Sequence, residues 1–181
     1  GDVAGMGADL FESYVGALIS ALTLGLVYFE AVGAAFPLVI AGLGLIASIL
    51  GTFFVRGDEK SNPHKALKTG SYAASVLVLI ASFVLSRMFF GNFNAAIAIA
   101  AGLTVGILIG IITEVYTSGD YNSVKEIATQ SETGAATTTI SGIAVGMRST
   151  AAPILLICVG IFAAYNFCGL YGIALAAVGM L

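Results

Sequence analysis

The fold is decided by residues 88–113, which read MFFGNFNAAIAIAAGLTVGILIGIIT. This run contains no Asp, Glu, Lys or Arg, and a helix needs about 20 apolar residues to cross a bilayer. Comparable uncharged runs recur at 13–29, 31–55, 69–86, 133–147 and 149–181. Because an open strand edge cannot be satisfied in lipid, we expect each run to be helical. The pattern predicts an all-α, polytopic bundle of transmembrane helices.

Composition excludes a soluble domain. Charged residues make up only 9% of the chain and apolar residues 59%, whereas soluble domains carry about 25% charged residues. The net charge of −3 and the absence of a basic patch argue against a nucleic-acid partner. Cys158 and Cys168 lie in or beside apolar runs without metal-ligand spacing, so we expect two buried thiols.

We treat residues 1–181 as one transmembrane region that contains about six spans. The predicted spans are about 3–29, 32–55, 67–89, 93–117, 134–165 and 169–181. The last span gives only about 20 Å of helix, too short to cross a bilayer, so we expect an internal piece of a longer protein. Residues 118–133 are expected to form a short cytoplasmic or interfacial helix.

The Lys and Arg residues near the span ends indicate how the protein is oriented. One side of the predicted bundle holds only Arg87. The other side holds Arg56, Lys60, Lys65, Lys68 and Lys125. Since positive residues accumulate on the cytoplasmic side, the loop 56–68 and the start of the first helix are expected to be cytoplasmic.

Glycines repeat at helical spacing in two of the spans. Gly102, Gly106 and Gly110 form a tandem ladder in the fourth span, and Gly142 and Gly146 repeat the spacing in the fifth. Such ladders let helices approach closely in lipid. We therefore expect these glycines to serve ordinary helix packing.

An acidic face runs along the first span. At about 100° per residue, one face of this helix carries small and polar residues: Asp2, Gly5, Asp9, Glu12, Ser13, Gly16 and Ser20. Along the axis, Asp9 lies about 10 Å and Glu12 about 15 Å from Asp2. Three carboxylates therefore share one side of a membrane helix.

The depth of each carboxylate suggests its chemistry. Asp2 lies at the cytoplasmic end, where Mg²⁺ could bridge a carboxylate to substrate phosphates. Asp9 and Glu12 lie deeper, and an ionisable group inside a span costs several kcal/mol unless it is paired or hydrated. Together with Ser13 they suggest a site for a cation or a proton.

Three interpretations of the acidic face remain open at this point. A cation channel or a secondary transporter without enzymatic activity could use Asp9 and Glu12 for its ion. All three carboxylates could instead lie at a frayed, water-exposed helix end. An inert helical scaffold would explain the glycine ladders but not the acidic face.

Three sequence motifs carry a resemblance to a known family. Residues 1–14 read GDVAGMGADLFESY; residues 113–118 read TEVYTS, followed by TGAAT at 133–137; residues 169–174 read GLYGIA, followed by GML at 179–181. In this order the motifs resemble those of the membrane-integral pyrophosphatases. The first motif is the most specific, and together they span the whole chain.

The resemblance implies a sixteen-helix homodimeric pump with two concentric rings of helices, of which this chain is about a quarter. Such pumps couple the Mg²⁺-dependent hydrolysis of pyrophosphate to the transport of H⁺ or Na⁺, and some need K⁺ or Na⁺ as an activator. The first and last spans would belong to the inner ring. The partners implied are pyrophosphate, the lipid bilayer, the rest of the same polypeptide and a second copy.

The resemblance also implies roles for single residues. Asp2 matches a catalytic aspartate that binds the Mg²⁺–pyrophosphate cluster and helps to position the attacking water. Asp9 matches an aspartate of the gate beneath the site, Glu12 matches an ion-gate glutamate, and Ser13 is the expected neutral ligand beside it. The family's other aspartates and its phosphate-binding lysines have no match in this chain, so we expect the chain alone to be inactive.

Overall fold

The computed structural model describes residues 1–53, 55 and 63–181, except for the side chains of Asp2 and of residues 63–66. Within these residues the regular structure is helical and contains no strand. The helices are α1 (Asp2–Thr52), α2 (Pro63–Phe90), α3 (Asn94–Thr117), α4 (Asn122–Ser131) and α5 (Ala135–Met180). The predicted all-α class is confirmed.

Helix α1 folds back on itself at Glu30. Its 51 residues would measure about 75 Å if straight, more than twice the hydrocarbon thickness of a bilayer. Glu30 has non-helical torsion angles, φ 54° and ψ −140°. The backbones of Gly25 and Gly33 then meet so closely that a Cβ on either would overlap the other. The two halves, 2–29 and 31–52, therefore form a tight helical hairpin.

Helix α5 contains a hairpin of the same design. The break lies at Cys168 (φ −139°, ψ 16°) and Gly169 (φ 60°, ψ −146°), so Gly169 adopts nearly the same conformation as Glu30. Gly172 lies directly against the backbone of Ala164. In both hairpins the two small residues occupy the same positions relative to the left-handed residue.

A buried serine closes the turn between α2 and α3. The Ser86 hydroxyl donates to the carbonyl of Asn92 at 2.8 Å and accepts a bond from the amide of Ala96 at 3.3 Å. Ser86 is fully buried, so both bonds satisfy polar atoms that burial would otherwise penalise. Gly91 supplies the left-handed residue, with φ 68°.

Two predicted boundaries are refined by the structure. Helix α2 begins at Pro63 rather than near 67, because proline favours the first position of a helix, where its missing N–H costs nothing. The predicted short helix within 118–133 is confirmed as α4. The predicted loop 56–68 is shorter in the structure, because its last part, from Pro63 onward, belongs to α2. Residues 56–62 lie outside the described part.

The chain divides into two compact units, the first made of Gly1–Leu103 and Ala163–Leu181. Its core is aromatic at the level of the hairpin turns. The Phe90 ring lies 5.1 Å from the rings of both Phe29 and Phe36. Phe36 and Tyr171 are fully buried.

The second unit, Thr104–Phe162, contains α4 between the ends of two long helices. The Thr137 hydroxyl lies 3.0 Å from the carbonyl of Gln130 at the end of α4 and 2.8 Å from that of Gly134. Gly134 has φ 144°, a conformation that favours glycine. The Thr137 hydroxyl thus connects the end of α4 to the first turn of α5.

The glycine ladders pack less than the sequence predicts. Gly102 lies against the backbone of Ala176, as expected of a close helix contact. Gly110, Gly142 and Gly146, by contrast, have open space where a Cβ would point, within the described residues. Close packing through these three glycines is therefore not found in the part of the chain that the structure describes.

The prediction of two buried thiols is wrong. Cys158 is exposed and Cys168 is half-buried, and both are free cysteines. An apolar run buries a small side chain only when the run faces other protein. In a membrane helix the same residue can face lipid, because the lipid tails are as apolar as a protein core.

Among the described residues, four helical stretches are long and apolar enough to cross a membrane: Val3–Thr52, Leu67–Phe90, Asn94–Ser131 and Ala135–Met180. The first contains the break at Glu30 and the last the break at Cys168 and Gly169. The division into six spans stays a prediction that these breaks make reasonable.

Candidate functional site

The first half of α1 carries the residues that the sequence singles out. Asp2 is the first residue of the helix, and its side chain lies outside the described part. Asp9, Glu12 and Ser13 are all exposed. Because no break interrupts the helix between 2 and 29, the predicted common face of these residues follows from helical geometry.

The two described carboxylates form an open acidic surface. Asp9 and Glu12 are three residues apart, about 4.5 Å along the helix axis, so their ionised forms repel each other. A cation, a proton or a basic side chain placed between them would relieve that repulsion. Their exposure leaves this position accessible from outside the chain.

Two hydroxyls extend the polar face toward the hairpin turn. The Ser20 hydroxyl donates to the carbonyl of Gly16 at 2.9 Å, and that of Thr23 to the carbonyl of Ile19 at 2.8 Å. Each donor is thus satisfied inside its own helix, while the oxygen lone pairs remain available outward. Thr23 was not among the predicted face residues, although it follows Glu12 by about three helical turns and so shares its side of the helix.

A complete metal site is not assembled by the described side chains. They contain no group of three or more His, Cys, Asp or Glu that could hold a metal ion. Mg²⁺ commonly uses only one or two carboxylates and takes its other ligands from substrate phosphates and water. The role of Asp2 as a metal ligand therefore stays a prediction.

These observations define the class: an all-α protein with membrane-spanning helices, the first of which bears an acidic face. A protein-family model described as "Inorganic H+ pyrophosphatase" matches residues 1–181. The chain belongs to this family.

Curated relatives agree with the family match. A Clostridium tetani protein named "Putative K(+)-stimulated pyrophosphate-energized sodium pump" is 54% identical over 188 residues, which cover 99% of this chain and 28% of the relative. A Moorella thermoacetica protein named "K(+)-insensitive pyrophosphate-energized proton pump 2" is 43% identical over 198 residues, 100% of this chain and 29% of the relative.

A third relative, from Methanosarcina mazei, is named "K(+)-insensitive pyrophosphate-energized proton pump" and is 40% identical over 98% of this chain and 28% of its own length. This chain therefore spans less than a third of the length of each of these relatives. The names of these relatives include both sodium pumps and proton pumps.

Proposed function

We propose that this chain is part of a membrane pyrophosphatase that couples Mg²⁺-dependent hydrolysis of pyrophosphate to the pumping of H⁺ or Na⁺. The family match over residues 1–181 supports the reaction, and the names of the relatives support the coupling to transport. The observation that carries the proposal is the acidic face of α1, which coincides with the most specific family motif.

Asp2 is the proposed catalytic residue and metal ligand. A carboxylate at the start of α1 can accept a proton from a water molecule and hold that water in line with the phosphoanhydride bond. Mg²⁺, when bound, would neutralise charge on the pyrophosphate oxygens. The remaining metal ligands and the phosphate-binding lysines are proposed to come from elsewhere in the same polypeptide.

Asp9, Glu12 and Ser13 are the proposed ion-gate residues. Asp9 and Glu12 supply negative charge below the hydrolytic centre, and the Ser13 hydroxyl supplies a neutral oxygen ligand. A cation or proton held there offsets the repulsion between the carboxylates, which makes ion occupancy and gate conformation interdependent. Because these side chains are exposed, we propose that a helix from the rest of the same polypeptide packs against them and completes the site.

The oligomeric state, the orientation in the membrane and the activating ion are also proposed from the family resemblance. The pump is proposed to be a multi-pass homodimer with the loop 56–68 and the start of α1 on the cytoplasmic side. K⁺ or Na⁺ is proposed as an activator, because the name of one relative that matches this chain gives K⁺ stimulation together with sodium pumping.

The test of the catalytic role is Asp2→Asn in the full-length protein. Asparagine keeps the size of aspartate but cannot act as a base and is a poorer ligand for Mg²⁺. Removal of a catalytic acid–base group costs about 10² to 10⁴ in rate, so we expect pyrophosphate hydrolysis to fall at least about 100-fold. The measurement is phosphate release from isolated membranes at saturating Mg²⁺.

Asp120→Asn is the matched control, because Asp120 is an exposed aspartate in the turn before α4. It should hydrolyse pyrophosphate within a few-fold of the unmodified protein. Equal hydrolytic activity of the Asp2 and Asp120 variants would show that Asp2 is not a catalytic residue.

A further inference from the structure

One backbone carbonyl in α1 lacks its normal hydrogen-bond donor. In an α-helix the carbonyl of residue 33 accepts from the amide of residue 37, but residue 37 is Pro37, inside the helix. Proline has no N–H. The carbonyl of Gly33 is therefore left without the bond that the helix would otherwise supply.

This carbonyl lies in a buried part of the hairpin, where an unpaired polar atom would destabilise the fold. Pro37 is among the fully buried side chains, and the backbone of Gly25 lies directly against the Gly33 carbonyl. A buried acceptor without a partner destabilises the folded state, because it has lost its bonds to water and gained none in return. The close approach of Gly25 leaves little space for a water molecule on that side.

The missing donor comes from the other end of the chain. The hydroxyl of Tyr171 donates to the Gly33 carbonyl at 2.8 Å, across 138 positions of sequence. Tyr171 is fully buried. Its ring is held by Phe29, with ring centres 5.3 Å apart, and by Phe90 at 6.3 Å.

We infer that Tyr171 is a latch that replaces the amide missing at Pro37 and thereby fastens the hairpin of α1 to the hairpin of α5. Gly33 lies just after the break at Glu30, and Tyr171 just after the break at Gly169. The hydrogen bond therefore joins the two turning points themselves and fixes their relative position. The inference concerns the fold and is independent of the proposed pumping activity.

A double-mutant cycle in the purified full-length protein tests this latch. Tyr171→Phe removes only the hydroxyl and should lower the apparent melting temperature in detergent by about 1–2 °C. It should also speed hydrogen exchange in peptides around residues 30–40 and 165–175 by about tenfold, since the hairpins open more often.

Pro37→Ala provides the decisive background, because alanine at this position would restore the N–H that bonds to the Gly33 carbonyl. In that background Tyr171→Phe should cost less than half of what it costs beside Pro37, both in melting temperature and in exchange rate. Such coupling between two residues is what a double-mutant cycle isolates. Tyr165→Phe is the matched control, since Tyr165 is an exposed tyrosine on the same helix, and it should change neither readout.

Two results would overturn the latch. One is an equal cost of Tyr171→Phe with proline and with alanine at position 37; the other is a cost no larger than that of Tyr165→Phe. If Tyr171→Phe alone yields no folded protein, the double variant decides: recovery of folded protein supports the latch, and failure to recover it contradicts the latch.

Discussion

At the scale of the residue, Glu30 is the most unusual position in the described chain. It is the only described non-glycine residue with a positive φ, and its torsion angles nearly match those of Gly169 in the second hairpin. A residue that carries a side chain in this positive-φ conformation destabilises the folded state by about 1–3 kcal/mol. The backbone conformation at the turn of α1 is therefore unfavourable by itself, and the packing of Gly25 on Gly33 stabilises it.

Glu30→Gly should stabilise the protein. Glycine adopts this conformation without a Cβ clash, although its unfolded chain has about 1 kcal/mol more entropy to lose. The relieved strain minus this entropy cost predicts that the free energy of unfolding rises by about 1 kcal/mol. The measurement is a higher apparent melting temperature in detergent.

Glu30→Gln separates the backbone from the charge, because glutamine keeps the Cβ and removes the carboxylate. It should give no gain. A gain as large as that of Glu30→Gly would assign the effect to the charge rather than to the strained backbone.

At the scale of the element, the long helices pack through a few close backbone contacts rather than through whole ladders. In the first unit, Gly102 of α3 meets the backbone of Ala176, and Gly179 of α5 meets Ile99 at 2.7 Å from where a Cβ would lie. Glycine permits such approaches because no side chain separates the helices. The ends of the two helices are thus held at a distance that a methyl group would disturb.

Gly102→Ala should destabilise the protein, because the new Cβ would overlap the Ala176 backbone, which cannot swing aside as a flexible side chain can. Overpacking of this kind costs about 1–3 kcal/mol. The measurement is thermal unfolding in detergent.

Gly110→Ala is the control on the same helix, where open space surrounds the new methyl group within the described residues. Its higher helix propensity should leave stability unchanged or raise it by up to about 1 kcal/mol. Equal losses at Gly102 and Gly110 would show that the contact with Ala176 is not what matters.

At the scale of the whole molecule, the chain combines an apolar exterior with one acidic helix face. The exposed side chains include many large apolar residues, among them Phe11, Ile80, Ile140 and Phe162, as expected for surfaces that meet lipid or further helices. The chain spans about 28% of the first relative's length. The proposed pump therefore needs more protein around α1 than this chain supplies.

Glu12→Gln should impair ion transport more than substrate binding in the full-length protein. Glu12 lies below the proposed hydrolytic centre, so its charge is proposed to serve the ion rather than the phosphate groups. We expect pyrophosphate-driven ion uptake to be severely reduced, with the apparent affinity for Mg-pyrophosphate changed by less than about threefold. Ion uptake and phosphate release are measured in the same inverted vesicles.

Glu126→Gln in α4 is the matched control and should pump normally, because Glu126 is an exposed glutamate on a different helix and does not belong to the acidic face of α1. If the Glu12 variant moves as many ions per phosphate released as the unmodified protein, Glu12 is not a gate residue.

The sequence by itself determined the helical class and the shared face of Asp2, Asp9 and Glu12. Both follow from local rules: lipid demands that each segment satisfy its own backbone, and a helix rotates by about 100° per residue. The family motif in residues 1–14 is likewise recognisable from the sequence alone. The short helix α4 was also predictable, because a mostly polar segment with a few apolar residues, 118–133, separates two long apolar runs.

Only the tertiary structure decided which residues meet across the fold. The ladder pattern is the same at Gly102 and Gly110, yet only Gly102 meets another backbone within the described residues. Tyr171 finds the Gly33 carbonyl 138 positions away, and nothing in the local sequence names that partner. Helix formation depends on neighbours within a few residues, whereas these contacts depend on how two hairpins dock, which no short stretch of sequence encodes.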